Sequence, residues 1–181
     1  KAASASPPNS TSPIGKFEWY RERAEAGSAG AQFELGAMYF SGDGVTKDFS
    51  QALYWWRRSN DGFPDANVQF LIASLYYDGG PGLLRDGLQA AQWMRRAADQ
   101  GHDSAQYYLA YLYAQGTGVP KDIVAAYAWM SLASKSQRSD MRTTAATECD
   151  SLRTVMSFEQ VAEAENRARQ WAVSFLSRQS K

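Results

Sequence analysis

The sequence predicts an all-α fold, a right-handed superhelical solenoid of antiparallel helix pairs. Three segments of closely similar sequence begin at Ala31, Val68 and Ala105, which are 37 residues apart. Each segment has the apolar spacing of an amphipathic helix, and each is followed by a glycine-rich turn and an aspartate. A fixed period of this length is typical of solenoids, because one helix pair cannot bury its apolar face alone and must stack on its neighbours.

The first helix of each repeat carries apolar residues at positions i, i+4, i+7 and i+8, which lie on one helical face. In the first repeat these residues are Ala31, Leu35, Met38 and Tyr39. A glycine follows that can adopt the left-handed conformation, and we expect it to end the helix. The three helix-ending glycines are Gly42, Gly79 and Gly116.

The second helix of each repeat is expected to begin at an aspartate, whose carboxylate accepts hydrogen bonds from the free N–H groups of the first turn. An alanine and then a tryptophan follow, and the tryptophan supplies most of the buried area. A small residue at a matching position of the first helix predicts a close approach of the two helices. The aspartates are Asp48, Asp86 and Asp122, the tryptophans Trp55, Trp93 and Trp129, and the small residues Gly36, Ala73 and Ala110. The Gly-x-Gly segments between the helices are interpreted as turns and not as phosphate-binding loops. A phosphate-binding loop follows a strand, whereas each of these segments follows a helix.

The repeats are expected to form a single domain at 15–181, closed by a capping element at each end. The predicted units are a half repeat at 17–30, repeats at about 31–67, 68–104 and 105–137, and capping helices at about 139–177. Within the last unit, one helix is predicted over 139–153 and a longer one over 158–177, which Ser157 and Gln160 open as a capping box. Residues 1–14 lack the apolar groups needed for burial and are expected to be a flexible leader. Such a leader is found in mature exported proteins, and a trimmed chain would look the same.

Composition gives little support for binding to nucleic acid or membranes, or for enzymatic chemistry. The 19 basic and 19 acidic residues cancel, so the chain has no net attraction for phosphate backbones or anionic lipid. Cys149 and His102 are the only cysteine and histidine, too few for a metal site built on such ligands. Cys149 is interpreted as a small buried apolar residue, and His102 as a solvent-facing turn residue whose neighbours Asp103 and Ser104 cannot form a catalytic triad with it. We therefore predict no catalytic residue, no metal and no cofactor.

The repeated residues closely resemble the Sel-1-like repeat family, a relative of the tetratricopeptide repeat. Ten positions of the family pattern are matched in the first repeat, from Ala31 to Trp55, and ten in the third, from Ala105 to Ala133. The middle repeat departs most, at its longer turn. The resemblance covers about residues 17–177 and implies an adaptor that binds proteins, in many cases an exported bacterial one. It also implies two more specific roles: an immunity protein that silences a toxic effector, or a penicillin-hydrolysing protein, although the latter members carry paired cysteines that this chain lacks.

The side of the first helices opposite their core stripe is the candidate binding surface. In stacked helix pairs it lines the concave side, and its residues differ from repeat to repeat whereas the core residues recur. We expect a partner-binding groove formed by Glu34, Ala37, Ser41, Leu71, Ser74, Asp78, Tyr108, Tyr111 and Gln115. Exposed tyrosines are common binding anchors, so Tyr108 and Tyr111 are singled out. The alternative is that these two tyrosines pack against the C-terminal capping helix.

The sequence thus favours an interaction module that holds a protein partner in its groove. One concrete version is a periplasmic or otherwise exported inhibitor that blocks a toxic enzyme sterically; the alternative location is the cytoplasm. A second hypothesis is a binder of a small molecule or cell-wall fragment, suggested by the aromatic residues. A penicillin-hydrolysing enzyme is the third, and it lacks a placed nucleophile and base.

Overall fold

Helix pairs stacked in sequence order make up the fold. The computed structural model describes residues 12–180, which contain nine helices and no multi-residue strand. The helices are α1 (Pro13–Glu25), α2 (Ala29–Ser41), α3 (Phe49–Gly62), α4 (Ala66–Asp78), α5 (Gly87–Asp99), α6 (Asp103–Gln115), α7 (Ile123–Ala133), α8 (Ser139–Arg153) and α9 (Phe158–Gln179). The helices α2 and α3, α4 and α5, and α6 and α7 pack as pairs. This arrangement confirms the predicted solenoid.

The predicted capping aspartates begin the second helices. The carboxylates of Asp48, Asp86 and Asp122 each accept a hydrogen bond from the backbone N–H three residues later, at 2.9–3.0 Å. Side-chain acceptors here satisfy N–H groups that have no partner inside the helix. The aspartates therefore fix the point at which the chain turns back.

Two of the three helix-ending glycines adopt the predicted left-handed conformation, Gly42 with φ 83° and Gly116 with φ 73°. Gly79 differs, with φ 64° and ψ −169°. The middle turn is one residue longer and closes on itself through a backbone pair between Gly80 and Leu83. The extra residue is the physical reason for the different geometry.

The tryptophans of the second helices are buried, as predicted: Trp55, Trp93 and Trp129 are 5–7% exposed. The small residue of the first repeat has a role that the sequence did not indicate. Gly36 faces the indole of Trp56, and a Cβ at position 36 would lie 2.5 Å from the indole Cδ1. The first repeat thus combines the smallest residue with the largest side chain at this contact.

A row of buried glutamines joins successive units. Gln32, Gln69 and Gln106 are 37 residues apart and each is 4% exposed. Each side-chain amide donates to an oxygen in the helix of the preceding unit, at 3.0–3.3 Å. A buried amide must find partners to offset its desolvation, so these bonds fix the register between neighbouring units.

The N-terminal cap is helix α1, which packs on α2 through the buried residues Phe17 and Ala24. It begins at Pro13, behind the N-cap Ser12, so it includes the last two residues assigned to the leader. The rest of that predicted leader, residues 1–11, lies outside the described residues.

The C-terminal cap consists of α8 and α9, both packed on α7. Helix α8 has the predicted bounds, and α9 begins with the predicted capping box of Ser157 and Gln160. The indole of Trp171 meets that of Trp129 edge to face at 5.6 Å, and its Nε1 donates to the Asp99 carboxylate at 3.1 Å. No helix within residues 12–180 has both the length and the apolar character needed to cross a membrane.

Candidate functional site

The nine predicted groove residues lie on the first helices of the three repeats, α2, α4 and α6. We call the surface formed by these nine residues the groove face. Tyr108 and Tyr111 are 39% and 42% exposed, so the capping helices do not bury them. Ser41, Asp78 and Gln115 are also exposed, and the other four are partly buried. The face is therefore open to solvent along all three repeats.

Three residues that the sequence analysis did not select surround Tyr108 on this face. The ring of Tyr108 lies 5.9 Å from Phe70 and 6.3 Å from Tyr77, both on α4, and 5.5 Å from Tyr107 beside it. We call Phe70, Tyr77, Tyr107, Tyr108 and Tyr111 the aromatic cluster. The sequence pattern did not single out Phe70 and Tyr107 for the surface, because Phe33, Phe70 and Tyr107 recur 37 residues apart, as core residues do.

Two of the cluster tyrosines, Tyr77 and Tyr107, have raised pKa values. Burial raises the pKa of Tyr77, and the nearby Tyr111, Asp78 and Tyr108 raise it further when they are ionised. Burial also raises the pKa of Tyr107, followed by the charge of Glu148 on α8. The hydroxyl groups of Tyr77 and Tyr107 therefore stay protonated and can donate hydrogen bonds to a bound partner.

Other predicted groove residues lie apart or are already engaged. Glu34 lies at the N-terminal end of the face, near Tyr20 of α1, whose pKa is raised by burial and then by the negative charge of Glu34. The hydroxyl of Ser41 donates to the Ala37 carbonyl at 2.9 Å, and that of Ser74 to the Phe70 carbonyl at 3.0 Å. The two serine protons are thus used within their own helices. The part of the face between α4 and α6 offers aromatic side chains to a partner instead.

His102 is not the solvent-facing turn residue that the sequence suggested. It is the N-cap of α6: its Nδ1 accepts the Ala105 N–H at 3.1 Å, and its ring stacks on Phe70 at 4.6 Å. Burial lowers the pKa of His102, and Arg138 lowers it too, against the opposing charges of Asp103 and Asp65. The neutral ring is favoured because only an unprotonated Nδ1 can accept the capping bond.

We expect this capping histidine to make stability depend on pH. A base whose pKa is lower in the folded state stabilises the fold above its unfolded pKa of about 6.5, and loses that contribution as pH falls toward the folded value. The free energy of unfolding, measured by urea denaturation, should therefore fall between pH 7.5 and 5.5. The variant His102→Asn keeps a capping side chain without titrating and should show a flatter profile. Equal slopes for both proteins would contradict this role.

Cys149 is buried on α8, as predicted, and is 9% exposed. Burial raises the pKa of the Cys149 thiol to about 11, with a smaller contribution from Asp150. The thiolate is the reactive form of cysteine, so very little of it exists at neutral pH. Cys149 thus contributes packing and no nucleophile.

The arginines of the second helices contact the buried tryptophans. The guanidinium of Arg96 lies 4.4 Å from the ring centre of Trp93 on its own helix. Arg95 lies 4.9 Å from Trp129 of the next repeat. These cation–π contacts place a guanidinium over the face of each indole, and the Arg95–Trp129 contact links successive second helices.

A cleft of about 510 Å³ between α7 and α9 is the largest of the described cavities. Arg167 pairs there with Asp122 and Glu163, Arg95 pairs with Asp99, and the Arg178 guanidinium donates to the Asp99 carbonyl at 3.2 Å. The cleft is thus part of the capping interface. Within residues 12–180, no three His, Cys, Asp or Glu side chains are grouped to hold a metal ion.

Comparison with known families identifies the repeat. A family model of the Sel1 repeat matches residues 29–62, 66–102 and 103–137, which confirms the resemblance found in the sequence. A crystal structure of a Sel1 repeat protein from Oxalobacter formigenes is 30% identical, has a TM-score of 0.59, and is matched over 72% of this chain and 96% of that one. A protective antigen of uropathogenic Escherichia coli with an SLR fold is 27% identical, has a TM-score of 0.54, and is matched over 94% of this chain and 44% of that one.

Two named relatives are much longer than this chain. The secretory immunoglobulin A-binding protein EsiB of Escherichia coli is 49% identical over 43 residues, which are 24% of this chain and 9% of EsiB. HRD3B of Arabidopsis thaliana, a component of an ERAD-associated E3 ubiquitin-protein ligase, is 29% identical over 108 residues, 59% of this chain and 17% of HRD3B. The matched segments therefore span less than a fifth of either relative.

Proposed function

The chain belongs to the Sel1 repeat family, and we propose that it is an interaction module that holds a partner polypeptide against its groove face. Sel1 repeats mediate protein–protein binding, and stacked repeats offer extended concave surfaces for it. The observation that carries the proposal is the aromatic cluster. Tyr108 and Tyr111 are about two-fifths exposed on α6, beside the aromatic residues of α4, and exposed tyrosine is a frequent binding anchor.

The relatives support the same class of function. EsiB is named for binding an immunoglobulin, and HRD3B for its place in a ligase complex. In its more specific form, the proposal is an exported inhibitor of the immunity type, which covers a toxic effector in the periplasm and blocks it sterically. Support for this form comes from the resemblance to the Sel-1-like family, some of whose members resemble immunity proteins, and from the composition of residues 1–14.

A selection from a random-peptide display library against the immobilised full chain tests the groove proposal. Binding of the selected peptides is compared between the wild type, the double variant Tyr108→Ala/Tyr111→Ala, and the control Tyr54→Ala. Tyr54 is a suitable control because it is 47% exposed and lies on α3, away from the groove face. Circular dichroism verifies that the variants are folded.

We expect the double variant to bind the selected peptides at least thirtyfold more weakly, since a central interface anchor contributes about 2 kcal/mol or more. The control should bind as the wild type does. The proposal would be contradicted by selected peptides that bind the double variant as tightly as the wild type, or by a selection that returns no binders.

A further inference from the structure

Charged side chains are divided unevenly between the two sets of helices. The first helices α2, α4 and α6 contain Glu34, Asp78 and Asp103 and no lysine or arginine. The second helices α3 and α5 contain two arginines each and one aspartate each, and α7 contains no charged residue. Asp103 is bonded to Ser136 next to the C-terminal cap, so the acidic character of the groove side comes from Glu34 and Asp78, and the neutral net charge of the chain hides it.

The aromatic rings of the two sets of helices differ in whether a cation of the chain lies over them. Each recurring tryptophan of the second helices has an arginine over its ring at 4.4–5.6 Å: Trp55 has Arg58, Trp93 has Arg96 and Trp129 has Arg95. None of the five rings of the aromatic cluster has a lysine or arginine within such a distance among residues 12–180. The ring of Phe70 is stacked on His102, but the exposed rings of Tyr108 and Tyr111 have no cation of the chain over them, and their negative faces can attract one.

We propose that the partner segment bound on the groove face is basic, with arginine or lysine side chains that lie over Tyr108 and Tyr111 and face the carboxylates of Asp78 and Glu34. This inference rests on the proposed function and adds the chemistry of the partner. Cation–π contacts and carboxylates act together here, because both attract positive charge and neither demands a single geometry.

The nearest cations of the chain itself lie at the edge of the face. Lys47 lies 5.5 Å from the ring centre of Phe40, at the end of α2, and shows the type of contact that we propose for the partner. The guanidinium of Arg85 donates to the Asp78 carbonyl at 2.8 Å, at the end of α4. Within residues 12–180, the carboxylates of Asp78 and Glu34 have no ion-pair partner, so they are available to an incoming cation.

Three labelled peptides of the same length test the inference with the full chain. Each peptide has twelve residues, in which alanine alternates with arginine in the first peptide, glutamine in the second and glutamate in the third. At about 3.3 Å per residue, an extended peptide of this length can cross three helices spaced about 8–10 Å apart. Fluorescence anisotropy gives the dissociation constant of each peptide at low and moderate salt. The variants are Glu34→Lys/Asp78→Lys, and a control with the same net charge, Glu22→Lys/Asp61→Lys, whose exposed carboxylates lie on α1 and α3.

The arginine peptide should bind at least tenfold more tightly than the glutamine peptide, and the glutamate peptide should bind most weakly. Added salt should weaken the binding of the arginine peptide more than that of the other two peptides. The groove variant should lose at least tenfold in affinity for the arginine peptide, and the control variant less than threefold. Removing both rings, by Tyr108→Leu/Tyr111→Leu, should cost about tenfold, as expected for two exposed cation–π contacts.

The possible failures separate this inference from the proposed function. Library peptides that need Tyr108 and Tyr111 but carry no excess of arginine and lysine would overturn the basic partner and leave the groove proposal standing. Equal binding of the three peptides, or equal losses in the groove and control variants, would overturn the basic partner too. If no library peptide depends on the two tyrosines and the arginine peptide does not bind, both proposals fall.

Discussion

Replacing Trp56 with alanine is expected to lower the free energy of unfolding by about 3–5 kcal/mol, the cost of removing a large side chain from a packed core. Trp56 is 2% exposed and belongs to the main apolar core. Its ring lies 6.5 Å from that of Phe33 and 5.6 Å from that of Phe40, and its Nε1 donates to the Phe33 carbonyl at 3.1 Å. Gly36 leaves no side chain that could move into the space. Urea denaturation followed by circular dichroism measures the loss.

The neighbouring tryptophan offers a control for the hydrogen bond. The Nε1 of Trp55 is buried and has no partner among residues 12–180, whereas that of Trp56 is bonded. Replacing an indole by phenylalanine should therefore cost about 1–2 kcal/mol more at position 56 than at position 55, because only Trp56 loses a bond. Equal losses at the two positions would show that packing alone, and not the bond, distinguishes them.

Much of the fold could be predicted because its determinants are local in sequence. An aspartate before an apolar helix is a cap whatever lies around it, so Asp48, Asp86 and Asp122 were found from the sequence alone. The recurrence of Trp55, Trp93 and Trp129 likewise predicted their burial, since a residue that repeats with the structural period serves the stack.

The aromatic cluster of the groove face could be predicted only in part, because its composition depends on which side chains of α4 and α6 lie close together. Tyr108 was selected as the exposed member of its own helix, but its contacts with Phe70 and Tyr77 follow from how α6 lies beside α4. The same limit applies to His102, which looks like a turn residue until the ring of Phe70 is placed over it. Helix periodicity gives the direction of a side chain and not what it meets across an interface.

One position combines a local constraint with a contact between repeats, and it gives the second large expected effect. Gly118 lies in the turn after α6 with φ 70°, a conformation that other residues adopt at a cost of about 1–2 kcal/mol. The turn rests on the start of α5, in the preceding repeat: a Cβ at position 118 would overlap the Gly87 carbonyl oxygen and lie 2.5 Å from the backbone nitrogen of Leu88. Backbone atoms cannot rotate away as a side chain can, so the two repeats would have to separate.

The variant Gly118→Ala should therefore lower the free energy of unfolding by about 2–5 kcal/mol, the sum of the backbone strain and the overpacking. Gly116→Ala is the matched control, since Gly116 has φ 73° but its nearest neighbour for an added Cβ is the Lys121 Cβ at 3.3 Å. The control should lose only about 1–2 kcal/mol, the cost of the left-handed conformation. Amide hydrogen exchange distinguishes the two cases further: if Gly118 docks one repeat on the next, its replacement should speed exchange in α6 and α7 more than in α2 and α3. Equal losses for the two variants, with uniform exchange along the chain, would mean that the turn glycines serve chain reversal only and that the repeats are held together by their apolar faces and buried glutamines.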